Sequence, residues 1–433
     1  MAVERHTGSY DADSDLSLCF RSCLLPSLFY NIHTSKVEDH VGGMDDLRAG
    51  LLRTPRDPAK TFSDDPLRIL RAARFAGRFG YRVDDLISAA AQQPTIKSDL
   101  ASKVSRERMG IEIQKSLQTF KGAFISFRLL CKDWGLRRII FEVPAAFEPV
   151  PEAERGSLQL YPLEAKSAAQ DDPYLTDQCL VGMHLAHEEI LRSDADAYKY
   201  SQDEASTLLF AAFLAPYHGY RVEVKKGKYN SLVWHIIRES LKLTQRDAQL
   251  VSDLLGQAHQ LIRASYLHEL ATKSGAGAAA GAGVAAAAAS SRSASVPLLD
   301  RLQLVTGGLL RQTGSCSVVA MRLAHILIQS SEFACTQTLS HVCIFDRSLG
   351  WPEAFGGVEY KSSSAAETRL DNYCRWIAKE SKLLQLPVWE MKPLASVRIR
   401  SEHASSTLSH YAACSRADSL PVSVCVCFPC VGY

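Results

Sequence analysis

Asp65, Arg68, Arg71 and Arg74 recur every three residues through the segment Phe62-Ser63-Asp64-Asp65-Pro66-Leu67-Arg68-Ile69-Leu70-Arg71-Ala72-Ala73-Arg74-Phe75-Ala76-Gly77-Arg78-Phe79. On a helix, side chains three positions apart share a side, so Asp65 and Arg68 present a carboxylate acceptor beside a forked donor. Such a pair can read a base edge. Cytosine and adenine each offer an amino donor next to a ring acceptor, whereas uracil and guanine place a carbonyl opposite the carboxylate. A buried acceptor left unpaired is costly, so the discrimination can be large. Arg71 and Arg74, one turn further on, supply forked donors that suit phosphate. The same spacing also describes an ordinary surface ion pair worth a few tenths of a kcal/mol, and spacing alone leaves both readings open.

The element that must position these groups is a helix over Pro66 to Gly80. Ile69, Ala72, Ala73, Ala76 and Phe79 fall on one stripe, while Arg68, Arg71, Arg74 and Arg78 occupy a separate arc, so one face packs and the other is cationic. Ser63 or Asp64 can cap its first turn, and Pro66 costs nothing there because its missing N–H would be unpaired anyway. Upstream, Leu28 to Ile32 and Val37 to Asp39, joined by His33-Thr34-Ser35-Lys36, read as a hairpin and give the one firm strand signal. Helical patterns follow at Asp46 to Leu52, Asp84 to Ala91, Ser105 to Phe120 and Ala123 to Cys131. After a Pro-, Glu- and Ala-rich connection over Pro144 to Asp172, helices resume at Leu175 to Leu191, Asp203 to Ala215, Leu232 to Leu243 and Arg246 to Ala264. Thr244 and Asp247 read as a capping box for the last of these. Residues 273–297 are nearly all Gly, Ala and Ser and read as a linker; Pro297 to Gln329 and Leu370 to Leu384 read as helices of a third block. The fold class is mainly α.

Composition sets outer bounds. At 433 residues, 46% hydrophobic and 22% charged, the chain has the material for several packed units. Lys+Arg 49 against Asp+Glu 47 leaves +2, so any basic surface must be local. Twelve scattered cysteines do not make a disulfide framework and point to a reducing compartment, whether cytoplasm, nucleus, mitochondrion or plastid. No apolar run reaches the roughly 18 residues of a membrane span. No metal site is expected. Asp11, Asp13 and Asp15 alternate without strand-forming neighbours, and Asp194 and Asp196 sit in a polar loop. His184 and His187 share a helix face but lack the zinc-protease order, and read as satisfied surface histidines. Cys425, Cys427 and Cys430 lack a second pair at zinc spacing. Gly275-Ala276-Gly277 has no strand before it to make a dinucleotide loop.

The order of motifs is informative. Val37-Glu38-Asp39-His40-Val41-Gly42-Gly43-Met44-Asp45-Asp46-Leu47, Leu52-Arg53-Thr54-Pro55, Thr61-Phe62-Ser63-Asp64-Asp65-Pro66-Leu67-Arg68 with Arg71 and Arg74-Phe75, and Ser105-Arg106-Glu107-Arg108-Met109-Gly110-Ile111-Glu112-Ile113 together resemble the CCA-adding tRNA nucleotidyltransferases and the related bacterial poly(A) polymerases. Leu209-Phe210-Ala211-Ala212-Phe213-Leu214-Ala215-Pro216 and Ile236 to Leu243 resemble the body of eukaryotic CCA-adding members, and Val388 to Leu394 is a fainter match to the family tail.

That resemblance implies a helical neck over 42–145, a tRNA-binding body over 146–272 and a tail over 298–400, with 27–41 a hairpin left from an α/β head and 401–433 divergent. It implies that Asp65 and Arg68 pair with incoming CTP or ATP, that Arg71 and Arg74 complete the nucleotide pocket, and that Gly42, Gly43 and Asp46 form a hinge. Arg106, Glu107, Arg108 and Glu112 become neck residues that position the template helix, and Arg221, Lys225, Lys226 and Lys228 become tRNA contacts. It also implies Mg²⁺ held by two strand carboxylates in the head. Only 26 residues precede Ser27; Arg21 fits the family's next motif, but Ser22 and Pro26 stand where Asp and Asn are expected. The expectation is therefore a head that has been lost or mis-joined. Beside an active CCA-adding enzyme stand three alternatives: a silent tRNA-binding remnant, a poly(A) polymerase and a purely structural helical protein.

Overall fold

Asn31 starts the described chain's first turn: its side-chain oxygen accepts the N–H groups of His33 and Thr34, and its amide donates to Glu38 at 2.7 Å. Strands β1 (Leu28–Asn31) and β2 (Lys36–Asp39) pair antiparallel through that turn, with Leu28 opposite Asp39. The structure, a computed structural model, describes residues 28–151, 172–193, 199–280, 306–308, 317–336 and 365–377. The reading of 1–26 as a lost head, the acidic stretches 11–15 and 194–196, and the cysteines after 401 lie outside these residues.

Helix α1 (Gly43–Ala49) leads into β3 (Leu51–Leu52), then α2 (Pro58–Asp64), where the Asp57 side chain caps the Lys60 N–H. Helix α3 (Leu67–Phe79) follows after Asp65 and Pro66, and β4 (Arg82–Val83) returns to lie parallel to β3. Helices α4 (Asp85–Ala91), α5 (Pro94–Lys103), α6 (Arg106–Gln118) and α7 (Phe120–Arg128) complete the first block. α7 runs into a π turn over Leu129–Asp133 and then α8 (Arg137–Ile140).

The second block holds β5 (Glu148–Pro149), α9 (Pro173–Ser193), α10 (Gln202–Leu214), β6 (Tyr220–Lys225), β7 (Lys228–Ser231) and α11 (Leu232–His235). α11 passes into a π turn over Ile236–Ser240, and α12 (Gln245–Ala280) follows. α13 (Ser317–Thr336) packs on α9 and α12, and α14 (Ala365–Arg375) lies against α12.

The mainly α class holds, and the Thr244 and Asp247 box forms, with Asp247 N–H donating to the Thr244 hydroxyl at 3.1 Å. Several local readings are corrected. A three-stranded antiparallel sheet, β5-β6-β7, forms in addition to the expected hairpin, with Tyr220 and Val222 of β6 packing inward. The expected 232–243 helix is four residues of α-helix and a π turn over Ile236–Ser240, after which Lys242 takes φ 52°. Residues 273–280, read as the start of a linker, continue α12 instead, since alanine extends a helix already nucleated. Ser63 and Asp64 close α2 instead of capping α3, and Phe79 is exposed. His184 and His187, read as surface groups, pack against the Phe124 ring instead. No helix among the described residues is long and apolar enough to cross a membrane.

One core runs through both blocks. Phe127, Phe141 and Phe213 meet with centroids 4.9 to 5.9 Å apart. Buried Arg137 donates to the Thr176 hydroxyl and the Tyr217 hydroxyl at 2.8 Å each, so α8 is tied to α9 and to the turn after α10. In the body, His218 and His259 stack with centroids 4.2 Å apart, and His259 Nδ1–H donates to Leu255 C=O. Burial holds the His259 imidazole down at about 4 and pushes His218 well down too, with the His259 ring adding to the effect on His218. In the unfolded chain both titrate near 6.5. The unfolded state therefore binds more protons between about pH 6.5 and 4, and stability must fall as pH falls, by up to ~1.4 kcal/mol per imidazole per pH unit. Urea unfolding at pH 7 and pH 5 is expected to show this loss, and His259→Phe to remove roughly half of it.

Candidate functional site: the α3 and α6 interface

Proline restricts the residue before it to extended backbone, and Asp65 obeys, with φ −145° and ψ 95°. It therefore stands just before α3, not on it, and this corrects the expectation of one shared helix side. Its Oδ1 accepts the Leu67 N–H at 3.3 Å and lies 3.5 Å from Arg108 Nη2. Its carbonyl accepts the Arg68 N–H at 3.1 Å. The Arg68 guanidinium donates to Thr61 C=O at 3.2 Å. Both side chains are partly open at the same end of α3, where the turn from α2 delivers the chain.

Deeper in, Glu112 of α6 is 3% exposed and takes two arginines of α3. Arg74 Nε donates to Oε2 at 2.7 Å and Arg71 Nε to Oε1 at 3.4 Å, with Lys115 Nζ 3.8 Å away. Arg74 is buried, its guanidinium 4.2 Å from the Phe75 ring centre. The continuous cationic face expected for α3 is thus broken: Arg74 faces inward, Arg71 is part-buried on the same carboxylate, and Arg78 is open. Close approach makes this possible. A Cβ on Gly110 of α6 would lie 1.9 Å from Leu241 C=O, and one on Gly77 of α3 would lie 2.3 Å from Gly122 C=O of α7.

The rest of α6 is anchored at its start. Ser105 caps the Arg108 N–H, and Glu107, in the first turn, is held below the usual carboxylate range by its own N–H and the Ser105 hydroxyl. Arg106 donates to Ile139 C=O and pairs with Glu142.

The glycine motif before α1 is built around an acid that sequence reasoning left out of its candidate set. Asp39 accepts the N–H groups of Gly43 at 2.8 Å, Met44 at 2.9 Å and Val41 at 3.2 Å, which lowers its carboxyl. Gly42 takes φ 74°, a conformation that glycine adopts without strain. Asp46 accepts from Arg53 Nε at 2.6 Å, and Arg53 also donates to Val41 C=O at 3.2 Å. Asp39, Arg53 and Thr61 all lay within the motifs that carried the resemblance, and that position was their only signal.

On the body, Arg221 is committed to Glu148 at 2.8 Å and to the Tyr229 ring at 4.0 Å. Lys225, Lys226 and Lys228 instead crowd the exposed tip of the β6 and β7 hairpin, around Gly227.

No family model matches the chain. Among curated proteins, it is 45% identical over 98 residues to nucleotidyltransferase lcsQ of Purpureocillium lilacinum, a match spanning 23% of this chain and 16% of that protein. It is 48% identical over 98 residues to the mitochondrial CCA tRNA nucleotidyltransferase of Saccharomyces cerevisiae (22% of this chain, 18% of that one). A longer match, 32% identity over 211 residues, links 48% of the chain to 38% of tRNA nucleotidyltransferase cca2 of Schizosaccharomyces pombe. Over these segments the chain is similar to tRNA nucleotidyltransferases. It spans between about a sixth and two fifths of the length of these curated relatives. Poly(A) polymerase I of Escherichia coli matches at 34% over 113 residues, 26% of this chain and 23% of that protein. A solved CCA-adding enzyme with CTP aligns at 13% identity, TM-score 0.43, over 94% of this chain and 74% of that one.

Proposed function

We propose that the chain is a CCA-adding tRNA nucleotidyltransferase in which Asp65 and Arg68 recognise the base of CTP or ATP and the body holds tRNA. The observation that carries this reading is the Glu112 clamp: it fixes α3 on α6, so that Asp65, Arg68 and Arg108 meet at one partly open rim. An Asp acceptor beside Arg donors at such a rim pairs with the amino edge of C or A and opposes the carbonyl of U or G. In this reading Arg71 keeps enough open surface to meet a phosphate, whereas Arg74 acts by holding Glu112. Gly42, Gly43 and Asp46, with Asp39 and Arg53, set the angle at which the hairpin leaves the helices. The lysines of the β6 and β7 tip are placed to meet tRNA phosphates, and Arg221 stiffens the hairpin beneath them.

Mg²⁺, which the family implies, finds no ligand set among the described acids of this region. Asp65 faces Arg108, Glu112 holds Arg71 and Arg74, Asp46 holds Arg53, and Asp39 is spent on backbone amides. No step is routed through the metal here.

The test is nucleotide titration of the purified full chain, followed by CMP and AMP incorporation into a tRNA lacking its 3′ end. CTP and ATP are expected to bind at least ~10-fold more tightly than UTP and GTP, a ratio that one mismatched polar contact supplies. Asp65→Ala is expected to erase the preference. Equal binding of all four nucleotides by the folded chain would overturn the proposal.

A further inference from the structure

We propose that His184, His187 and Glu188 of α9 form a site for a borderline transition-metal ion such as Zn²⁺ or Co²⁺. One donor atom from each of the three residues lies within 4.8 Å of the others. The positions i, i+3 and i+4 place all three on one helix side. His187 Nε2 lies 2.9 Å from the Lys121 carbonyl, which can only accept, so the ring proton sits on Nε2 and the lone pair on Nδ1. That Nδ1 is buried and makes no hydrogen bond. A backbone carbonyl that fixes one imidazole nitrogen and leaves the other with its lone pair unused is the outer-sphere arrangement of metal-bound histidines.

Neighbouring groups agree with this assignment. Phe124 of α7 covers both imidazoles, with centroids 4.9 and 6.0 Å away, and limits rotation of either ring. The next acid, Glu189, is taken by Arg322 at 3.1 Å, so Glu188 supplies the carboxylate. Four-coordinate zinc with bonds near 2.0–2.1 Å sets donor atoms about 3.4 Å apart, so the donors need close by no more than about 1.4 Å on binding. Two imidazoles and one carboxylate favour Zn²⁺ or Co²⁺ over Mg²⁺, which prefers an all-oxygen shell. Three protein ligands leave a fourth position open.

The chain, stripped with chelator and confirmed folded by circular dichroism, is titrated with Co²⁺. One equivalent is expected to bind with visible d–d bands and no thiolate charge-transfer band, and Zn²⁺ is expected to displace it. His187→Ala is expected to weaken binding at least ~100-fold and Glu188→Gln about 10-fold, each leaving the melting of the metal-free protein near wild type. No binding by the folded chain overturns the proposal. So does a thiolate band, or binding that survives His184→Ala together with His187→Ala.

Discussion

Gly110→Ala is expected to destabilise the protein by about 4 kcal/mol, at the upper end of what one added methyl does in a packed interior. The new Cβ would sit 1.9 Å from Leu241 C=O and 3.0 Å from the carbonyl carbon. That carbonyl is backbone and has little freedom to retreat. Leu241 N–H donates to Ile236 C=O, and Leu243 N–H to Ile237 C=O, both at 3.1 Å. Ser240 of the same turn donates to Ile140 C=O and accepts the Glu142 N–H. Relief must therefore come from α6, and moving α6 carries Glu112 away from α3. At 2–4 °C per kcal/mol, a melting temperature lower by roughly 8–16 °C is expected in a thermal scan. Gly256→Ala in α12 is the control: a Cβ there meets nothing within 4 Å, so helix propensity alone predicts a small gain. If both variants melt with wild type, the α6 contact does not have the rigidity ascribed to it.

Neither glycine contact could be read from sequence, because periodicity reports which face is buried and not how closely a neighbour's backbone approaches. Elements with strong local signals fared better: the helices expected over Ser105 to Phe120 and Asp203 to Ala215 form as α6 and α10, and the apolar run Leu208 to Leu214 is buried along its whole length. The β6 and β7 hairpin was missed although Tyr220, Val222 and Val224 alternate with Arg221, Glu223 and Lys225, because β7, Lys228-Tyr229-Asn230-Ser231, carries no matching apolar alternation. Asp65 and Arg68 were found through type and spacing, yet their geometry was not, since Pro66 shifts the helix start past Asp65. Arg74 gives the sharpest lesson. Its arc on α3 reads as solvent-facing, and its burial follows from an acid 38 residues away that local patterns cannot pair with it.

That long-range pairing makes Glu112→Gln the second large effect, a loss of about 3 kcal/mol. The substitution keeps shape and removes charge, leaving Arg74, whose side chain is 11% exposed, without a compensating anion. Breaking a buried pair from one side typically costs about 3–5 kcal/mol. The lower end applies because Arg71 and Lys115 are 32% and 52% exposed and regain water. The amide also turns a donor toward guanidinium donors, so Gln cannot restore the hydrogen bonds in both directions. Glu112→Met with Arg74→Met removes both charges, and apolar replacement of a buried pair is often neutral or better. Urea unfolding of Glu112→Met, Arg74→Met and the double variant is expected to give a coupling of at least ~2 kcal/mol, with the double variant within about 1 kcal/mol of wild type. Costs that simply add would mean Glu112 does not hold Arg74. If stability returns in the double variant while CTP affinity does not, the clamp serves the orientation of α3 beyond its contribution to folding, which is what the proposed nucleotide site requires of it.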